Sequence, residues 1–155
     1  MGAFRLNTTT IETGFPGLLI YTLERGDKMS IIDLLMETDV EKLQFNNQKD
    51  FEVKRLSKIL GQNFIVNCRP LTNEQIAHIG EISRNNTEIK LNSVLEACRI
   101  EGKNLNNKDL MDKFKVATPI DLINKLFLPG EIFELYNIVT ELSGYGKDVV
   151  KEIKN

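Results

Sequence analysis

The chain has no tryptophan, a single histidine and only two cysteines in 155 residues. Each shortage closes a class of function. A zinc site takes about four His or Cys ligands in spaced pairs, and His78, Cys68 and Cys98 cannot supply them. No C-x-x-C is present, and a small secreted scaffold would carry more cysteines, so Cys68 and Cys98 are read as reduced, buried thiols of a cytosolic protein. There is no excess of either charge. Twenty basic residues face 22 acidic ones, for a formal charge of −2, which argues against a nucleic-acid or anionic-membrane partner. No apolar run approaches the roughly 20 residues that span a bilayer. The stretch Phe15–Tyr21 is broken by Pro16-Gly17, follows only Arg5 and lacks a small-residue cleavage site, so it is not read as a signal peptide.

What is present is an ordinary globular composition, 41% hydrophobic and 27% charged, at a length that suggests one domain with its own core. Residues 1–28 differ from the rest. "FRLNTTTIETG" and "FPGLLIYTLERG" suggest a small hairpin or ordered arm, with a loosely attached tail as the alternative.

Helical signals begin at Met29. Ser30 is placed to N-cap "SIIDLLMETDVEKLQF", with Ile31, Ile32, Leu35 and Met36 on one face. Alternation in "FEVKRLS" and "FIVNCRPL" predicts a β-hairpin at about 51–70, turning at "KILGQN", with Phe64, Val66 and Cys68 on one side. Thr72 and Gln75 form a capping-box pattern ahead of Ile76, Ile79 and Ile82. Leu91, Val94, Leu95 and Cys98 line a helix expected to end near Gly102, and Asn107 caps a short one holding Leu110, Met111 and Phe114.

Thr118 and Pro119 open a helix carrying Ile120, Ile123, Leu126 and Phe127. Pro129 then stands at the first position of another, with Glu131 in its first turn and Ile132, Leu135, Val139 and Leu142 along one stripe. Gly144 is its predicted C′ residue. "LFLPGE" therefore reads as a tight junction between two helices. A short charged helix is expected at Lys147 to Ile153. The predicted fold class is mainly α with one small β-hairpin, α+β at the margin.

Nothing in this pattern forms a catalytic constellation. His78 has no motif around it. Neither G-x-x-x-x-G-K-[ST] nor G-x-G-x-x-G occurs, and "SGYGKD" at 143–148 follows a helix and reads as a cap and turn. Glu131 and Glu134 are neighbours on one helix, which by itself means surface acids. A hydrolase using His78 or Glu131 is the weakest reading.

From the hairpin onward the pattern resembles the XkdN-like tail assembly chaperones of phages and phage-derived particles. The resemblance rests on "RPLTNEQI", with Arg69, Leu71, Thr72 and Glu74 in place. It rests equally on "LFLPGEIFELYNIVTELSG" and on the closing "EIKN". It covers about Met29 to Asn155 and is strongest after residue 105.

The resemblance implies a non-enzymatic assembly factor without catalytic residues, cofactor or metal. Such a factor binds the tape-measure protein, keeps its apolar helices soluble and helps recruit tail-tube subunits. It acts in the host bacterial cytoplasm and is absent from the mature particle, with self-association left open. The rival is a structural tail or tail-completion protein retained in the particle. The expected partner-binding residues lie at the junction and on the helix after it: Leu126, Phe127, Leu128, Pro129, Ile132, Phe133 and Tyr136. Of these, Leu126, Leu128 and Ile132 suit the core, while Phe133 and Tyr136 lie off the main stripe and suit the surface.

Residues 29–155 are thus expected to form one chaperone-like domain, with 1–28 as an extension. Family members are expected to begin near Met29, and the codons of "ERGDKM" suit a ribosome-binding site before that Met. Residues 1–28 are accordingly expected to be an upstream reading; a genuine arm that pairs with a neighbour is the rival.

Overall fold

Most of the helix starts are set by local hydrogen bonds. The computed structural model describes residues 6–9, 20–23, 29–44 and 47–154. They divide into two compact units, Met1–Val40 and Glu41–Asn155.

In the first unit, β1 (Leu6–Thr9) pairs antiparallel with β2 (Ile20–Leu23), Leu6 opposite Leu23. The Phe15–Gly17 stretch between the two strands lies outside the described residues. Helix α1 (Ile31–Glu37) starts as expected at Ser30, whose Oγ accepts from the Asp33 N–H at 3.1 Å. It stops at Thr38, which turns its hydroxyl back to the Leu34 carbonyl. The pattern resumes as α2 (Val40–Gln44), so one predicted helix is two; Phe45 lies outside the described residues. Ile31, Ile32, Leu35 and Met36 of α1 are all exposed.

The second unit holds a four-stranded antiparallel sheet, all of α2 but Val40, and six further helices. β3 (Lys49–Glu52) pairs with β4 (Ile65–Cys68), Phe51 opposite Val66. These are the two strands predicted for 51–70, but their link is a helix, α3 (Lys54–Leu60), and not the turn "KILGQN". Val53 and Leu56 are three residues apart and both buried, a spacing that suits a helix face as well as it suits an interrupted strand. Gly61, at φ +71°, closes α3 in the left-handed region that glycine enters freely.

Helix α4 (Asn73–Ile82) has the expected capping box: Gln75 N–H donates to Thr72 Oγ1 at 3.2 Å, and Thr72 N–H to Gln75 Oε1 at 2.9 Å. Ile79 is buried on it and Ile82 is exposed. Helix α5 (Asn86–Ala97) ends five residues before the predicted Gly102. Cys98 turns extended there and opens β5 (Cys98–Ile100), which pairs with β4 and, across Glu101-Gly102, with β6 (Lys103–Asn104). Both turn residues have positive φ, 51° and 76°, as two-residue hairpins favour. The sheet order is β3-β4-β5-β6.

Helices α6 (Lys108–Phe114), α7 (Pro119–Leu126) and α8 (Pro129–Leu142) begin where expected. Asn107 and Thr118 accept cap hydrogen bonds, and Pro129 opens α8. Gly144, at φ +94°, is the C′ residue of α8; its N–H reaches Glu141 and the Tyr145 N–H reaches Thr140, closing a Schellman motif. The helix expected at Lys147–Ile153 is absent: the chain there runs in turns, bends and irregular backbone, exposed throughout. Without a buried face, a seven-residue helix with four charged residues has nothing to stabilise it.

The core lies between the sheet and the helices. Val66, Cys68 and Cys98 from the sheet meet Leu91, Val94 and Ala97 of α5 and Ile132, Leu135 and Val139 of α8. Cys68 sits directly opposite Cys98, Sγ to Sγ 3.8 Å, both buried and both free thiols. The Cys98 thiol is raised by its hydrogen bond to the Cys68 sulfur and by burial. The architecture is mainly helical with a small antiparallel sheet, the predicted class with two more strands than predicted.

Candidate functional site

The junction between α7 and α8 is two residues, Phe127 and Leu128. Phe127 ends α7 with its N–H on the Ile123 carbonyl, and its ring turns inward to meet Phe64 edge-on, centroids 6.1 Å apart. Leu128 begins α8, and its N–H is taken by the Glu131 carboxylate at 2.7 Å. A leucine has no side-chain acceptor for a cap, so Glu131 supplies the capping contact of this helix end.

Glu131 has a second task. Arg55 of α3 reaches it with Nε at 3.1 Å to Oε2 and Nη2 at 2.8 Å to Oε1. The same Nη2 donates to the Leu126 carbonyl at 2.8 Å, so one guanidinium holds the end of α7 and the start of α8 together. The Arg55 hydrogen bonds hold the Glu131 carboxyl below its ordinary range, with help from the Leu128 N–H and against partial burial. The junction is therefore clamped from outside as well as packed from inside. No sequence signal pointed to Arg55, because its partner is 76 positions away.

On this rigid frame the seven expected residues separate. Phe127 and Ile132 are buried in the core, Leu126 is half-buried against it, and Tyr136, expected at the surface, is also half-buried against the core. Pro129 is exposed. Leu128 is 51% exposed, contrary to the core position expected of it, because its side chain precedes the buried stripe of α8. Phe133 is 48% exposed, as its off-stripe position suggested, with Lys90 Nζ 5.2 Å from its ring centroid. So Leu128, Pro129 and Phe133 leave exposed apolar side chains at the start of α8. Leu126 also contributes to the wall of a groove of about 1120 Å³ on the far face of the sheet, which sequence reasoning missed.

His78 is exposed on α4. Among the described residues no three His, Cys, Asp or Glu side chains gather as a metal site would, and no helix is long and apolar enough to cross a membrane.

A family model described as phage XkdN-like tail assembly chaperone protein matches residues 32–154. The chain belongs to that family. Its role is in phage tail assembly, and its partners, in general terms, are phage tail proteins. The matched region spans the junction, all of the sheet and every helix from α2 to α8.

Among solved structures, a crystal structure titled for the protein yqbn has the same fold. The TM-score is 0.51 at 16% sequence identity, covering 70% of this chain and 98% of that one. At that identity the likeness speaks for the fold alone. No curated protein matches the chain.

Proposed function

We propose that this member of the tail assembly chaperone family works without catalysis, by binding the tape-measure protein and keeping its apolar helical segments soluble while tail-tube subunits are recruited. The observation that carries this reading is the family match over residues 32–154 together with the exposed apolar end of α8. A rigid helical surface presenting Leu128, Pro129 and Phe133 suits an amphipathic partner helix, which docks its apolar face on such anchors.

The proposal places this work in the host bacterial cytoplasm and keeps the protein out of the finished particle. It assigns the function to residues 29–155 and none to residues 1–28. Expression beginning at Met29 is part of the same proposal. Intact mass of the natively expressed protein tests it, and a full-length species alone would remove that part.

Co-expression with the tape-measure protein, followed by affinity pull-down and a solubility assay, tests the main reading. Soluble, co-purifying tape-measure protein is the expected result. An insoluble tape-measure protein with nothing captured would overturn it. Protein identification on purified particles then separates it from a structural tail protein, since the chaperone should be missing.

A further inference from the structure

The sheet has a second face. In β4, Val66 and Cys68 turn into the core, so Ile65 and Asn67 turn away from it. The strand register continues that face as a row: Asp50, Asn67, Arg99 and Asn104 are neighbours across all four strands. This face lines the 1120 Å³ groove, and Leu60, Leu110, Phe114 and Leu126 add apolar side chains to it.

Two properties set the groove apart from an ordinary solvated face. The first is apolar content. An antiparallel sheet with one wet face normally turns polar residues toward the water. Here the outward row is polar, but Ile65 beside it is 39% exposed, and the helices add Leu110 at 37% and Leu60 at 61% to the same groove. The second is charge. The rim carries Lys49, Arg69, Arg99 and Lys103 against Asp50 and Glu101, a local excess of cations on a chain whose net charge is −2. None of those four cations forms an ion pair among the described residues. Asp50 already accepts from the Asn67 amide at 2.8 Å.

We propose that this groove seats an amphipathic α-helix whose apolar stripe is flanked by carboxylates, supplied by the tape-measure protein. The partner's identity rests on the reading of the preceding subsection; its chemistry rests on the groove. Apolar side chains of the helix meet Ile65, Leu110 and Leu126, and its flanking acids meet the rim cations, of which Arg69 donates to Asn67 Oδ1 and Arg99 to the Glu96 and Cys98 carbonyls. A nucleic-acid strand fits less well, because Asp50 and Glu101 interrupt the cationic rim.

The test uses two labelled helix-forming peptides with the same leucine stripe, one flanked by Glu and one by Lys. Fluorescence anisotropy reads their binding to the full chain, to Leu110→Glu and to Lys103→Glu. Both substituted positions are exposed, so the fold is not at stake, and circular dichroism checks it. The Glu-flanked peptide should bind about tenfold tighter at low salt, the preference shrinking as salt screens it. Leu110→Glu should lose both peptides, and Lys103→Glu should narrow the preference. Equal binding of the two peptides, or binding unaffected by Leu110→Glu, would overturn the proposal. A free dimer that Leu110→Glu converts to monomer would also overturn it, by making the groove a self-interface.

Pull-down of co-expressed tape-measure protein by the same variants separates the two readings. Capture by wild type but not by Leu110→Glu supports both. Equal capture removes the groove and spares the chaperone function. No capture even by wild type removes the tape-measure partner, and the peptide preference alone then decides whether the groove is a seat for acidic helices.

Discussion

Arg55 and Glu131 join α3 to α8 across 76 positions of sequence, through two guanidinium nitrogens and both carboxylate oxygens. Their value lies in what else each one holds. Arg55 also takes the Leu126 carbonyl, and Glu131 also takes the Leu128 N–H. Removing Arg55 frees the Leu126 carbonyl, removing Glu131 frees the Leu128 N–H, and either loss unlinks the two ends of the junction.

Glu131→Gln should therefore lower the melting midpoint by about 2–4 °C at neutral pH, the shift expected for a loss near 1 kcal/mol in a chain of this size. The sign of the pH effect follows from the depressed carboxyl. Its stabilisation is complete above the ordinary glutamate value of 4.5 and is lost as pH falls from there through the folded-state value. The gap between wild type and Glu131→Gln should thus close on acidification below about pH 4.5. Calorimetry from pH 3 to 7 checks this, and a gap that stays constant would show that the carboxylate charge contributes nothing.

Adjacent residues of "LFL" should behave oppositely. Phe127 is buried against Phe64, so Phe127→Ala should cost about 3–5 kcal/mol in urea unfolding. Leu128→Ala and Phe133→Ala remove exposed side chains and should stay within about 0.5 kcal/mol of wild type. The exposed pair should instead reduce capture of the tape-measure protein. Unchanged capture by the Leu128→Ala, Phe133→Ala double variant would clear the end of α8 of any part in binding.

The buried thiols make a kinetic prediction. Cys68 and Cys98 are enclosed by the core, and the Cys98 thiol is raised by its bonded neighbour and by burial, so it presents little thiolate. Alkylation by iodoacetamide at pH 8 should be slower in the folded protein than in urea by on the order of a hundredfold, since reaction waits on opening of the core. Denatured protein prepared without oxidant should titrate as two free thiols. A count of zero would mean a disulfide had closed across β4 and β5.

Legibility in the sequence tracks the range of the interaction. Ser30, Thr72, Asn107 and Thr118 accept from N–H groups three residues on, and Pro129 brings a fixed φ and no N–H to the first position of α8, so each of these helix starts could be read directly. The misread elements are those decided by distant partners. Cys98 carries on the apolar spacing of α5, yet the strand it joins, β4, lies 30 positions back, and pairing there outweighs another turn of helix. Val53 and Leu56 fit two periods until the sheet claims Phe51. At the junction, spacing separated Phe133 from the core but could not separate Phe127 from Leu128. The groove left one trace: Ile65 stands between Phe64 and Val66, putting an apolar residue beside Asn67 on the outward face of β4. Its cations come from four separate segments and meet only in the folded chain.

Two glycines of the same helix should respond in opposite directions to alanine. Neither Gly130 nor Gly144 has any atom within 4 Å of where a Cβ would stand, so crowding plays no part. Gly144 sits at φ +94°, where an L side chain meets its own carbonyl, and Gly144→Ala should cost about 1–2 kcal/mol by straining the Schellman turn. Gly130 lies in the first turn of α8 with ordinary helical backbone, and Gly130→Ala should raise stability by up to about 1 kcal/mol through lost freedom in the unfolded chain. Paired urea titrations measure both. A destabilising Gly130→Ala would mean that the "PGE" turn needs glycine for a reason its own geometry does not contain, and would make Gly130 the next position to probe for partner contact.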